Sequence, residues 1–360
     1  MNILAFESSC DETSAAVVSK TENGFTVKSN IVASQIETHR LYGGVVPEIA
    51  SRAHIEAISS ITYEALDAAG ITLSDVDLVA VTANPGLIGA LLVGVNFAKA
   101  LAVANSSPLV AVDHIKGHIA AAYLTEGEAP KPPFIALAAS GGHTSIYMVK
   151  DYVTHEVIGE TRDDAIGESF DKIGRMIGIP YPAGRGFDKL SEEGYLLATC
   201  EADIDTAYKK YKKTDSYKNP AMTLPSPALP GDTLDFSFSG LKTAAINLLH
   251  RYEQKGEELC RPLFAARYTY EAVEAVSKKL SMALEKNPGC DLVVSGGVAA
   301  NSHLRRRLSE VAKKHGVKIF IPHISLCGDN GAMIAAAGYY EYINGRLADS
   351  SLNASALDSR

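Results

Sequence analysis

Apolar residues in this chain fall in short blocks separated by polar turns, and one such arrangement occurs twice. Ile3-Leu-Ala-Phe6 leads into Glu7-Ser-Ser-Cys-Asp-Glu-Thr13 and out through Ala15-Ala-Val-Val18. Far downstream, Phe134-Ile-Ala-Leu-Ala-Ala139 leads into Ser140-Gly-Gly-His-Thr144 and out through Ile146-Tyr-Met-Val149. Each block is too short for a helix and ends at turn-forming residues, so each arrangement predicts two strands joined by a hydroxyl-bearing turn. Their wide separation predicts a duplicated lobe with one hairpin in each half.

Between the hairpins, Leu78–Thr82 reads as a strand that breaks at Asn84-Pro85-Gly86 and enters a small-residue helix over 90–104. Leu109–Val112 is a further strand and delivers His114 at its end. Helices follow over 242–255 and 263–287, and a strand over Asp291–Ser295 opens another glycine turn. Strands alternating with helices predict α/β layers around largely buried sheets. Residues 201–235, rich in Lys and Tyr and then in proline (Pro220, Pro225, Pro227, Pro230), read as a long surface excursion. The pattern places a first lobe at 1–130, completed by a helix over 330–345. It places a second lobe at 131–329, with an insertion near 190–290, and a tail over 346–360 too poor in apolar residues to pack.

At 360 residues, 46% apolar and 21% charged, the chain suits two packed lobes of a soluble globular protein. The first residues lack a basic region and meet acids at Glu7, Asp11 and Glu12, which argues against a secretory signal. Ile88–Ala104 is apolar but carries Asn96 and Lys99, and it reads as a buried helix and not a membrane span. Five cysteines, odd in number and without a C-x-x-C pair, read as reduced cytoplasmic thiols. A net charge of −8 argues against a protein that clamps nucleic acid by bulk charge, although Lys209–Lys213 and Arg305–Arg307 are local basic patches. Either patch by itself reads as a solvated helix face.

Candidate chemistry centres on His114 and His118, four residues apart and so on one face of a helix. Two imidazoles there grip a borderline cation such as zinc or ferrous iron. A zinc protease would place a glutamate beside the first histidine, where this chain has Ile115. Asp329 is the best-placed third ligand, although an aspartate before a helix also serves as an N-cap. Ser8, Ser9, Asp11, Glu12 and Thr13 suit direct phosphate contacts or a metal-bound water. Ser140–Thr144 offers backbone N–H groups to a phosphate. Ser295–Asn301 reads as a nucleoside turn with Asn301 on a ribose or base edge, or as an ordinary strand-to-helix connection. Asp171 and Asp188 suit ribose hydroxyls or an amine, and equally suit caps and surface charges.

Seven segments in order resemble one family: Glu7–Thr13, Gly43–Arg52, His114–His118, Ser140–Thr144, Phe236–Thr243, Ser295–Asn301 and Asp329–Met333. They are similar to the TsaD family, the tRNA N6-adenosine threonylcarbamoyltransferases once labelled glycoproteases, in its bacterial form. The resemblance implies an actin-like, Hsp70 and sugar-kinase type of ATPase fold (ASKHA). It implies transfer of threonylcarbamoyl from threonylcarbamoyl-AMP to N6 of adenosine 37 in tRNAs reading codons that begin with A. It also implies one metal, usually iron, on His114, His118 and Asp329, and an AMP-binding cleft that accepts ATP or ADP as well. Substrate contacts carry over to Ala139, Ser140, Gly141, Gly142, His143, Asp171, Gly184, Asp188 and Asn301. Glu7, Ser9, Asp11 and Glu12 support the site, and His143 is the candidate proton acceptor. Implied partners are tRNA, an inactive TsaB-like paralogue, a TsaE-like P-loop ATPase and a TsaC-type synthase, with no membrane. Asn84 and Ala139 depart from the usual residues but keep their turns. A small-molecule kinase of the same fold, a non-catalytic scaffold and a metalloprotease are the rival readings. Lys209–Lys213 are expected to touch tRNA.

Overall fold

The computed structural model describes residues 1–357 apart from 126, 228 and 230. Two five-stranded mixed sheets are built on one plan. The first contains β1 (Asn2–Glu7), β2 (Glu12–Thr21), β3 (Gly24–Ser34), β4 (Leu78–Asn84) and β5 (Leu109–Asp113), in the order β3-β2-β1-β4-β5. The second contains β6 (Phe134–Ala139), β7 (Thr144–Val149), β8 (His155–Glu160), β9 (Asp291–Ser295) and β10 (Ile319–Phe320), in the order β10-β9-β6-β7-β8. Read from opposite ends the two orders coincide: an antiparallel meander of three strands, then two parallel ones. The expected hairpins are β1–β2 and β6–β7.

Helices fill three layers around the sheets. On the outer face of the first sheet lie α2 (Pro47–Ala69), preceded by the short α1 (Ile36–Arg40), and α3 (Ile88–Asn105). Between the sheets lie α4 (His114–Ala120) and, from the far end of the chain, α12 (Gly331–Ile343). The outer face of the second sheet carries α5 (Ile166–Met176), α6 (Gly184–Thr199), α7 (Ile204–Tyr211), α8 (Asp215–Lys218), α9 (Ser239–Lys255), α10 (Arg261–Lys286) and α11 (Ser302–His315). Strand alternation explains the layering. Ile3 and Ala5 face α12 while Leu4 and Phe6 face α2 and α3, and all four are fully buried. The same alternation on β6 sends Phe134, Ala136 and Ala138 inward and Ile135, Leu137 and Ala139 outward. This is the duplicated two-sheet, actin-like fold that the resemblance implies. α3 is long and apolar enough to cross a membrane by length and composition, but it is a partly buried core helix packed on β4 and α2.

Two expectations are corrected. The tail does not fray: Ala348 N donates to Leu109 O at 2.8 Å, extending the edge of β5, and Ser355 N donates to Ala83 O at 2.9 Å. Lys99 Nζ holds Leu352 O at 3.0 Å, and Leu352 and Ala354 pack on the first core, so a few apolar residues on a sheet edge suffice. Residues 358–360 lie outside the described residues. The excursion over 201–235 is also not purely irregular, because it contains α7 and α8. Tyr208 and Tyr211, one turn apart, are buried against Tyr195 and Tyr270, and that apolar side folds the segment as a helix. Pro230 in this stretch lies outside the described residues.

Candidate metal centre and substrate cleft

Asp113 ends β5 and caps α4, accepting from Ile115 N at 2.9 Å and Lys116 N at 3.1 Å. That cap starts the helix at His114, so His114 and His118 share its inner face, both buried. Asp329, in the turn before α12, meets them: its Oδ1 lies 3.6 Å from His114 Nε2 and 3.2 Å from His118 Nε2. The ligand atoms of the three residues all lie within 4.8 Å of one another. The alternative role of Asp329 as N-cap is filled by its neighbour, since Asn330 Oδ1 accepts from Met333 N at 3.0 Å.

Two features of this cluster suit a cation. Neither ring nitrogen of His118 makes a hydrogen bond to any of the described residues, because the contact to Asp329 is close but not aligned as one. His114 Nδ1 donates to Glu7 Oε2 at 3.0 Å, which fixes the tautomer and aims Nε2 at Asp329. Glu7 is itself held by Thr82 Oγ1 at 2.6 Å and Ser9 N at 2.5 Å. Burial pushes the His114 imidazole down, but Glu7 and Asp329 outweigh it and raise it to about 9. Burial pushes the Asp329 carboxyl up, yet His114, His118 and then His143 hold it well below the usual carboxylate range. The field that favours a proton here favours a cation in its place.

The first turn supplies carboxylates and not an anion cradle. Ser8 Oγ donates to Ala90 O at 3.0 Å, Ser9 Oγ lies 3.2 Å from His114 Nδ1, and Thr13 Oγ1 lies 2.7 Å from His54 Nδ1. With those hydroxyls engaged, Asp11 and Glu12 are the groups left near Asp329. Burial, then Asp329, Asp11 and Glu7, push the Glu12 carboxyl up to about 8, and burial and Asp329 raise Asp11. That arrangement suits the metal-bound-water alternative over direct phosphate contacts.

The other candidate residues form a ring of contacts. Gly296, at φ +87°, lies so close to Ala139 O that any Cβ would collide, which sets the third turn against the second. Gly167 lies equally close to Ser140 O, and Glu168 N donates to Gly141 O at 3.1 Å. One turn along α5, Asp171 accepts from Ala183 N at 2.7 Å, beside Gly184. Asp188 on α6 accepts from Ser302 N at 3.1 Å and Ser302 Oγ at 3.1 Å, and Asn301 Oδ1 caps α11 through Leu304 N at 2.8 Å. Burial raises both the Asp171 and the Asp188 carboxyl. Gly141, Gly142 and Gly184 border open space. The residues assigned to substrate and the candidate metal triad lie near one another, since His143 of the second turn acts on the Asp329 carboxylate and Tyr181 Oη reaches Asp11 Oδ2 at 3.4 Å. Sequence reasoning missed the Glu7–His114 link. It also missed Asp163, which accepts from Phe238 N at 2.7 Å and Ser239 N at 3.1 Å and so starts α9.

A family model described as "TsaD: tRNA N6-adenosine threonylcarbamoyltransferase" matches residues 26–336. The chain is similar to the tRNA N6-adenosine threonylcarbamoyltransferase of Clostridium botulinum (strain 657 / Type Ba4), with 49% identity over 354 residues. That match covers 98% of this chain and 96% of that one. It is 45% identical over 352 residues to the enzyme of the same description from Clostridium perfringens (strain 13 / Type A), covering 98% and 96%. Among solved structures, HypF from T. kodakarensis has a TM-score of 0.58 at 13% identity, over 98% of this chain and 49% of that one. A full-length HypF in a phosphate- and nucleotide-bound form has a TM-score of 0.51 at 16% identity, over 96% and 46%. At such identities these two likenesses show the fold alone.

Proposed function

Since this chain belongs to the TsaD family, the tRNA N6-adenosine threonylcarbamoyltransferases, we propose that the triad and the glycine turns hold an activated donor for attack by adenosine 37. The enzyme transfers a threonylcarbamoyl group onto that adenosine of tRNA. The donor is threonylcarbamoyl-AMP and the acceptors are tRNAs reading codons that begin with A. The observation carrying the reading is the triad His114, His118 and Asp329, backed by Glu7 and close enough to the second glycine turn for His143 to act on Asp329. A small-molecule kinase of this fold has no need of such a triad.

The donor is a mixed anhydride, so no covalent nucleophile is required. The lone pair of N6 attacks the carbamoyl carbon, the bond from that carbon to the phosphate oxygen breaks, and AMP leaves with the electron pair. Gly141 and Gly142 receive the phosphate, Ala139 and Ser140 shape that turn, and Asp188 and Asn301 hold the ribose. Asp171, beside Gly184, faces the threonyl end. His143 accepts the proton from N6. Holding both partners in register supplies on the order of 7–11 kcal/mol. Two imidazoles and one carboxylate suit ferrous iron, with zinc as the alternative. When bound, the cation supplies Lewis-acid polarisation and neutralises developing negative charge. Glu7 orients His114, while Ser9, Asp11 and Glu12 line the side facing the triad. An inactive TsaB-like paralogue, a TsaE-like P-loop ATPase and a TsaC-type synthase complete the system in the cytoplasm, and the cleft also admits ATP or ADP.

The test is transfer of labelled threonine from threonylcarbamoyl-AMP to tRNA with matching helper proteins. Label is expected on tRNA with adenosine 37, and none on tRNA lacking it or with His118→Ala. No label from a folded, metal-loaded protein would overturn the reading in favour of a kinase.

A further inference from the structure

Helix α7 has two unlike sides. Tyr208 and Tyr211 are buried in a cluster with Tyr195 of α6 and Tyr270 of α10, whereas Lys209, Lys210, Lys212 and Lys213 are exposed. Tyr195 meets Tyr211 edge-on at 4.7 Å between centroids. The next helix is fastened the same way. Tyr217 donates to Glu271 Oε1 at 3.0 Å and lies 3.9 Å under the Arg267 guanidinium, which leaves Lys218 outside.

The nearby acids are largely committed elsewhere. Glu201 pairs with Lys210 at 2.5 Å, Asp203 caps α7 by accepting from Thr206 N at 2.8 Å, and Asp205 pairs with Arg306 of α11. Asp215 remains, in the first turn of α8. Lys209, Lys212, Lys213 and Lys218 therefore present a positive stripe on a chain whose net charge is −8.

The stripe is fixed to the cleft. Asp188 holds the N-terminus of α11 at Ser302, and one helical turn along, roughly 6 Å, Arg306 holds α7 through Asp205. Beyond Asp205, α7 runs six residues further, about 9 Å.

We infer that the lysine stripe of α7 and α8 binds the sugar-phosphate backbone of the tRNA acceptor. The inference rests on the reading that tRNA is the substrate. It adds the surface that holds the acceptor at a distance from the reacting atoms. Lysines recognise phosphates as point charges, so the contact carries orientation and affinity and no base specificity.

The experiment compares wild type with K209Q/K212Q/K213Q/K218Q, which keeps helix-forming residues and the buried tyrosines. K313Q/K314Q, exposed at the other end of α11, is the charge control. Binding of tRNA is read by fluorescence anisotropy between about 50 and about 200 mM salt. The quadruple variant should bind at least tenfold more weakly at the low-salt end, with a log–log salt slope shallower by up to about 0.9 per lost contact. In the transfer assay its KM for tRNA should rise, with kcat and the KM for the donor unchanged. Unchanged affinity and slope, or an equal loss in K313Q/K314Q, would overturn the inference. Failure of the underlying reading would look different, because wild type itself would then transfer no label.

Discussion

Glu7 Oε2 accepts a hydrogen bond from His114 Nδ1 at 3.0 Å, on a carboxylate with no solvent exposure. One buried acid on the first strand therefore sets the direction of an imidazole on α4. Glu7→Gln keeps the shape and removes the charge. Metal affinity should fall about 10–100-fold, read by competition with a chelator of known affinity, while far-UV circular dichroism stays unchanged.

His118 gives a prediction with opposite signs in two conditions. Its unpartnered ring nitrogens cost stability when no cation is bound. In the presence of chelator, His118→Leu should match or exceed wild type by up to about 1–3 kcal/mol. With metal at about a hundred times its Kd, wild type gains about 2.7 kcal/mol and the variant gains nothing. Thermal melts with and without chelator read both effects. A variant melting below wild type in chelator would mean that His118 is there for packing.

Gly296→Ala adds a Cβ against Ala139 O at a residue with φ +87°. Neither the angle nor the neighbouring backbone can accommodate it, so a loss of roughly 1–3 kcal/mol is expected in urea melts. The third turn must also move away from the second. The KM for the donor should rise even where the protein remains folded.

Asp164 bridges Lys172, at 2.8 Å, and Lys242. Burial pushes its carboxyl up, but the two ammonium groups outweigh that and hold it below the usual range. A carboxyl depressed on folding stabilises the protein above its unfolded value, near about pH 4, and that contribution is lost as pH falls through the folded value. Asp164→Asn should cost no more than about 1–2 kcal/mol at neutral pH and flatten the acid limb of a stability–pH curve. An acid limb as steep as that of wild type would exclude Asp164 as its source.

The hydroxyl of Tyr195 is buried and makes no hydrogen bond to any of the described residues. Tyr195→Phe should therefore be neutral or stabilising by up to about 1 kcal/mol, a rare outcome for a core substitution. A loss above that size in a denaturant melt would show that the hydroxyl has a partner.

Local patterns in the sequence carried much of this. The two hairpins were legible because buried strands on both sides of a polar turn leave a short apolar block on each flank, as at Phe134–Ala139. The histidine pair was legible because helical spacing alone brings His114 and His118 together. The edge strands β3 and β8 gave little signal, since their exposed faces alternate polar and apolar residues irregularly, as in Lys28-Ser-Asn30. Glu7 was read as a supporting residue of a polar turn and not as the partner of His114, because that partner is distant in the chain and no local spacing records the contact. For Asp329 the cap and the ligand were indistinguishable until the structure placed Asn330 in the cap. Lys209–Lys213 read as a solvated basic face, and only the common burial of Tyr208 and Tyr211 identifies the tyrosines as its anchor.

The metal triad takes two residues from α4 and the third from the turn before α12, near the end of the chain. During synthesis the two histidines leave the ribosome long before the aspartate. A nascent or prematurely ended chain therefore carries two of the three side chains of the triad and lacks the helix that packs between the sheets. A chain that stops before the last helix lacks the carboxylate of the candidate site altogether.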